Sequence, residues 1–182
     1  MKKISLIAML LLAVLLFQEC TKDTVSETAT STEQLLAVIN DSTWVGDTIK
    51  ASVTYSAATS SKLFTCQGIG DNKEINFSVL QANVPSTPGF PLQTYNVNST
   101  TNVAMSYFTS EKNSIGTYVF YQQGNVQAGS GTITITAVDS VKKLITGTFS
   151  FTTLRDNSDG TTTINGIQAG GFNDLPYTFI SN

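Results

Sequence analysis

The chain has 182 residues and a formal charge of −3, from ten Lys and Arg against thirteen Asp and Glu. Charged residues are only 13% of it and histidine is absent; this leaves no basic footprint for a nucleic-acid backbone and removes the commonest general base together with the commonest zinc ligand. Two cysteines are too few for a disulfide-stapled secreted domain, and the shortage of Glu and Lys argues against a helical bundle.

The chain opens with Met1-Lys2-Lys3 and then runs almost purely apolar from Ile4 to Phe17, broken only by Ser5. A bilayer core needs about 20 apolar residues, so this shorter run reads as a secretory signal. Cys20 follows directly, after Phe17-Gln18-Glu19. The arrangement resembles a bacterial lipoprotein signal in relaxed form. It implies that residues 1–19 are cleaved, that the Cys20 thiol carries a diacylglycerol, and that Cys20 becomes the mature N-terminus. Buried acyl methylenes are worth roughly 0.8 kcal/mol each, and two or three chains hold a protein on a membrane where one does so only marginally. Thr21-Lys22-Asp23 resembles the surface-export signals of Bacteroidota. The expected address is therefore the outer membrane, with the cell surface favoured over the periplasmic face.

From Thr24 to Glu33 only Val25 and Ala29 are apolar, too few to order the segment. Residues 20–34 are expected to be a lipidated start and tether, and residues 35–182 a single β-domain. Within it the apolar residues recur every second position. Ile49, Ala51, Val53 and Tyr55 alternate with polar neighbours, as do Ile75, Phe77 and Val79, then Ile133, Ile135 and Ala137, then Ile145, Gly147, Phe149 and Phe151. This rhythm marks strands with one buried and one solvated face. Asn40-Asp41-Ser42 and Gly70-Asp71-Asn72 are hairpin signals, Asp139 to Lys143 links two strands, and Asp156 to Gly160 links two more. Tyr177–Ile180 reads as a closing strand. Sequential hairpins predict an all-β, mostly antiparallel meander of about ten strands, folded as a sandwich or a flattened barrel. Val84 to Pro91 carries three prolines, which exclude a central strand. It reads as a stiff, exposed loop with Phe90 near its end.

Three segments also resemble a family. Thr132-Ile133-Thr134-Ile135-Thr136 precedes Gly147-Thr148-Phe149-Ser150-Phe151, and Gly170-Gly171-Phe172-Asn173-Asp174-Leu175-Pro176-Tyr177 follows. Their order is similar to that in an uncharacterised family of small all-β lipoproteins from Bacteroidota, in which G-T-F-S-F and G-x-F-N-x-L-P-Y segments recur. Trp44 and the Tyr-containing Leu92–Val97 occupy similar places. The resemblance implies an all-β fold and an envelope location, and it implies no activity or catalytic residue.

Candidate sites are few. Cys66 shares a strand face with Phe64 and has no histidine to activate it, so it reads as a buried small hydrophobe. Asp156, Asn157, Asp159 and Gly160 fall short of a calcium loop and read as a turn. No pair of carboxylates stands out for glycosidase chemistry. Aromatics offer the best opening, with Trp44, Phe90 and Tyr121 the candidates to line a ligand groove, although most aromatics in a small β-domain fill its core. Tyr118-Val119-Phe120-Tyr121 is apolar on both strand faces, so one face is expected to be covered or adhesive. The expectation is a non-enzymatic lipoprotein that binds a glycan, a lipid or an envelope protein. It needs no cofactor, metal or nucleic acid and touches the membrane through its lipid. The alternatives are an assembly component of the envelope and a hydrolase built on carboxylates alone.

Overall fold

A computed structural model describes residues 34–98 and 102–182. The expected signal peptide, Cys20 lipidation site and tether (up to residue 33) lie outside the described residues. Among the described residues there are twelve strands and no helix: β1 (Leu35–Ile39), β2 (Ser42–Val45), β3 (Thr48–Ser56), β4 (Ser61–Gly70), β5 (Lys73–Ala82), β6 (Thr94–Asn96), β7 (Val103–Lys112), β8 (Tyr118–Gln122), β9 (Asn125–Asp139), β10 (Leu144–Asp156), β11 (Thr162–Pro176) and β12 (Thr178–Ser181).

The strands form two six-stranded sheets, ordered β2-β1-β11-β10-β9-β6 and β12-β3-β4-β5-β7-β8. They pack face to face as a sandwich, and the four edge strands β2, β6, β12 and β8 exclude a closed barrel. Hairpins dominate as expected, but the chain is not a simple meander. β1 pairs with β11, β6 joins β9 across sequence, and β12 crosses back to lie parallel to β3.

Local chemistry accounts for the turns. Asn40 and Asp41 take φ of 47° and 65°, and Asp71 and Asn72 take 46° and 56°. Two consecutive left-handed residues match the twist of a two-residue hairpin, and Asn and Asp tolerate that region best. Two elements differ from the alternation. β7 has Ala104 and Phe108 on its outer positions, which blurs its rhythm. β11 runs on through Gly170 and Gly171 because its register shifts absorb extra residues near Ala169, at φ 45°.

The core lies between the sheets. Phe64, Phe77, Phe149, Phe151 and Phe172 form its centre, with Phe77 5.0 Å from Phe149 and 5.6 Å from Phe172 between ring centroids. Such pairs add about 0.5–1.5 kcal/mol each beyond their buried area. Gly147 sits on the inward face of β10 and makes room for the Phe172 ring. The described residues hold a contiguous core drawn from both sheets.

The proline-rich loop is a plug rather than a free excursion. Phe90 is 5% exposed and packs 5.8 Å from Phe64 and 6.0 Å from Tyr95. Three side chains hold the loop backbone: Lys62 donates to the Gly89 carbonyl, Tyr177 to that of Pro88 at 2.7 Å and Tyr95 to that of Pro91 at 3.2 Å.

Candidate functional site

The outer face of the second sheet carries the site. Directly paired residues form rows across its strands. One row reads Thr178, Ser52, Thr65, Ser78 and Ala104, and the next Lys50, Gln67, Asn76 and Ser106. All but Lys50, Gln67 and Asn76 are short. The flanking rows are bulkier: Ile180, Thr54, Leu63 and Leu80 on one side, Ile69, Glu74 and Phe108 on the other. Small side chains between larger ones leave a trough of about 800 Å³. Crossing five strands, it runs for about 19 Å at the usual strand spacing.

Its polar groups are partly committed to one another. The Ser52 and Thr65 hydroxyls share a hydrogen bond of 2.8 Å. The amides of Gln67 and Asn76 donate to Glu74 Oε1 at 2.8 and 2.6 Å. Glu74 is buried on the flank and, among the described residues, has no cationic partner; the two amides solvate its carboxylate instead. Asn76 is thereby fixed in orientation, and its Oδ1 is a buried acceptor without a partner. Such an acceptor costs about 1–3 kcal/mol unless something donates to it. Among the described residues the Ser78 and Ser106 side chains make no hydrogen bond, and Lys50 makes no ion pair. No lining side chain is a carboxylate.

The aromatics singled out from the sequence do not meet here. Trp44 is 2% exposed; it packs over Gly68 on β4, and its indole N–H donates to the Gly70 carbonyl at 2.8 Å. Phe90 is the core plug described above. Both therefore serve packing and offer no ring to a surface ligand, which corrects the reading of them as groove residues. Tyr121 is 42% exposed on β8, remote from both.

Other candidates resolve locally. Cys66 is buried and free, and burial pushes its thiol up to about 12. Burial also raises the Tyr95, Tyr107 and Tyr177 hydroxyls, with the charges of Asp71 and Asp139 adding to the effect at Tyr107 and Tyr177. The Asp156–Gly160 segment is a turn. Asn157 N–H donates to the Thr161 carbonyl, and Asp159 accepts from the backbone and hydroxyl of Thr161, which lowers its pKa. Among the described residues, no cluster of three or more His, Cys, Asp or Glu groups is placed to hold a metal ion.

Sequence reasoning missed the trough because each of its residues reads singly as an ordinary solvated strand position. The signal lies in register: Ser52, Thr65 and Ser78 fall opposite one another, and their smallness becomes a cavity only when the strands align.

A family model described as a domain of unknown function, DUF6252, matches residues 31–176. No curated protein and no solved structure matches the chain.

Proposed function

The chain belongs to the DUF6252 family, and from that footing we propose that this member is a lipid-anchored envelope protein whose sandwich binds a neutral, hydroxyl-rich chain, a glycan, in the trough of its second sheet. The observation that carries the reading is the two central rows of the second sheet, rich in hydroxyls and amides, with the Ser78 and Ser106 hydroxyls unengaged between bulkier flanks. Hydroxyls and amides both donate and accept, which suits a ligand that does the same. One lysine and no lining carboxylate disfavour a strongly charged ligand of either sign. A lining without paired carboxylates also supports binding over glycoside hydrolysis.

Anchoring rests on the sequence: the basic start, the apolar run from Ile4 to Phe17 and Cys20 after Gln18-Glu19. The outer membrane, with the cell surface before the periplasmic face, is the proposed address.

A glycan array probed with residues 34–182 tests the binding reading. The expected result is a set of neutral polysaccharide hits lost on Ser106→Trp, which fills the trough from an exposed face. Blank arrays, or hits indifferent to that substitution, refute it. Replacing Cys20 with Ser is expected to release the full chain from membrane fractions. Retention of the variant, with no acyl label on the parent, refutes the anchor.

A further inference from the structure

The second unexplained feature is the free edge of the second sheet. β8 is its outermost strand, and all five of its residues are exposed. Tyr118 and Phe120 lie on the outer side with Phe108 and Ser110, whereas Val119 and Tyr121 face the other way. Yet Val119 and Tyr121 are 38% and 42% exposed, so both faces of β8 lie open, with the Lys112 ammonium 5.3 Å from the centroid of the Tyr118 ring. Two strands alone are marginal in water, and exposed edges are normally blunted by charge, proline or brevity. The other edges are shorter, at three residues for β6 and four for β2 and β12. β8 is Tyr-Val-Phe-Tyr-Gln, without charge or proline.

The backbone register defines which groups are open. Gln123 N–H donates to the Tyr107 carbonyl, and Asn113 N–H to that of Thr117. The pairs Thr109–Tyr121 and Glu111–Val119 fall in the same series, so odd-numbered residues bond inward to β7. Tyr118, Phe120 and Gln122 therefore direct their N–H and C=O groups to the empty side.

We infer that the occupant of this edge is a second copy of the chain, paired antiparallel through β8 about a twofold axis at Phe120. Phe120 then faces its own counterpart and Tyr118 faces the partner's Gln122. Every outward N–H and C=O of the three residues is satisfied, and two exposed hairpins become one four-stranded unit. No charge on β8 opposes itself under this symmetry, as one would for a strand with an edge lysine. Tyr118 and Phe120 of both copies share one face, and Val119 meets the partner's Tyr121 on the other. A five-residue strand buries less than the roughly 800 Å² per partner of a standard interface, so the pairing is weak and concentration-dependent. It stands independently of the glycan reading, which uses different rows of the sheet.

Sedimentation of residues 34–182 between 10 µM and 1 mM tests it. The weight-average mass is expected to climb from one chain towards two and stop there. Phe120→Lys, which sets two ammonium groups against each other at the axis, is expected to hold the protein at one chain throughout. Because Phe120 is exposed, the variant's thermal unfolding should match the parent's. A paired Cα separation of about 5.5 Å lies within disulfide reach, so oxidised Phe120→Cys is expected to cross-link into dimers and Val119→Cys much less. Three results overturn the inference: a monomer at 1 mM, a dimer unaffected by Phe120→Lys, and growth beyond two chains. The first would leave the edge to a strand of a different protein.

Discussion

Replacing Gly147 with Ala tests how the core is assembled. A Cβ at this position would meet the Thr134 carbonyl oxygen and the tip of the Phe172 ring, both closer than the 3.0 Å that real Cβ contacts essentially never breach. Neither neighbour yields readily. Thr134 belongs to β9, held in register against β10, and the Phe172 ring is wedged between Phe64 and Phe77 at 5.9 and 5.6 Å. Restoring ordinary contact needs a shift of about 1 Å in a close-packed layer, which costs about 1–3 kcal/mol. Alanine regains about 0.5–1 kcal/mol of backbone entropy over glycine. The net loss, centred on about 1 kcal/mol and at most about 2.5 kcal/mol, lowers Tm by roughly 2–4 °C and at most about 10 °C in a domain of this size. Gly171→Ala is the control. Its Cβ would meet nothing within 4 Å, so the entropy gain stands alone, and Tm should rise by about 1–3 °C. Calorimetry of both variants and the parent reads the difference directly. If Gly147→Ala melts at or above Gly171→Ala, Gly147 is not the gap that admits Phe172.

Three further outcomes follow from single side chains. Trp44→Phe keeps a ring against Gly68 but strands the Gly70 carbonyl, and denaturant unfolding should show a loss of about 1–3 kcal/mol; an unchanged midpoint would mean that water replaces the indole. The Cys66 thiol, buried and pushed up to about 12, should resist a thiol reagent at pH 8 in residues 34–182 and react fully in denaturant; rapid labelling of the folded domain would contradict its burial. Burial holds the Lys62 pKa below 10.5, so between that lowered value and 10.5 the unfolded chain binds more protons than the folded one. Stability must therefore rise with pH in that window. Unfolding titrations should show the parent gaining on Lys62→Met as pH climbs towards 10.5, and parallel profiles would refute the assignment.

The sequence made the strands visible because their buried faces are spelled by period-two apolar residues. Ile133, Ile135, Phe149 and Phe151 are as buried as their alternation implies. It made the tight turns visible because Asn40-Asp41 and Asp71-Asn72 suit left-handed backbone. Pairing between distant strands leaves no such trace: nothing in Leu35–Ile39 announces β11, and nothing in Thr178–Ser181 announces a parallel partner in β3. The aromatics misled for a related reason. Trp44 and Phe90 sit beside turn-forming residues, which suggests exposure, but their burial is imposed by Gly68 and Phe64, far away in sequence. The trough is the same problem inverted, since it consists of what is missing from Ser52, Thr65 and Ser78 once they are aligned.

The two faces of the sandwich use similar side chains to different ends. On the outer face of the first sheet, Thr94 bonds Thr134 at 2.9 Å, Thr132 bonds Ser150 at 3.2 Å, and Thr136 donates to the Thr146 carbonyl. A hydroxyl satisfied by its neighbour has little left to offer a ligand. On the second sheet, the Ser78 and Ser106 side chains bond to no protein group among the described residues, and exchanging solvent for a ligand hydroxyl there costs little. The β8 edge does not compete with that exchange. The Phe108–Gln122 pair separates the trough rows from the Phe120 axis. A twofold axis through an antiparallel pair stands perpendicular to the sheet, so the inferred dimer would turn both troughs to the same side. A weak site presented twice on one face binds a long, repetitive chain far more tightly than either copy binds alone. If the trough takes a glycan as proposed, that arrangement would make a shallow site effective, and the proposed membrane tether would supply the local concentration that a five-residue edge cannot.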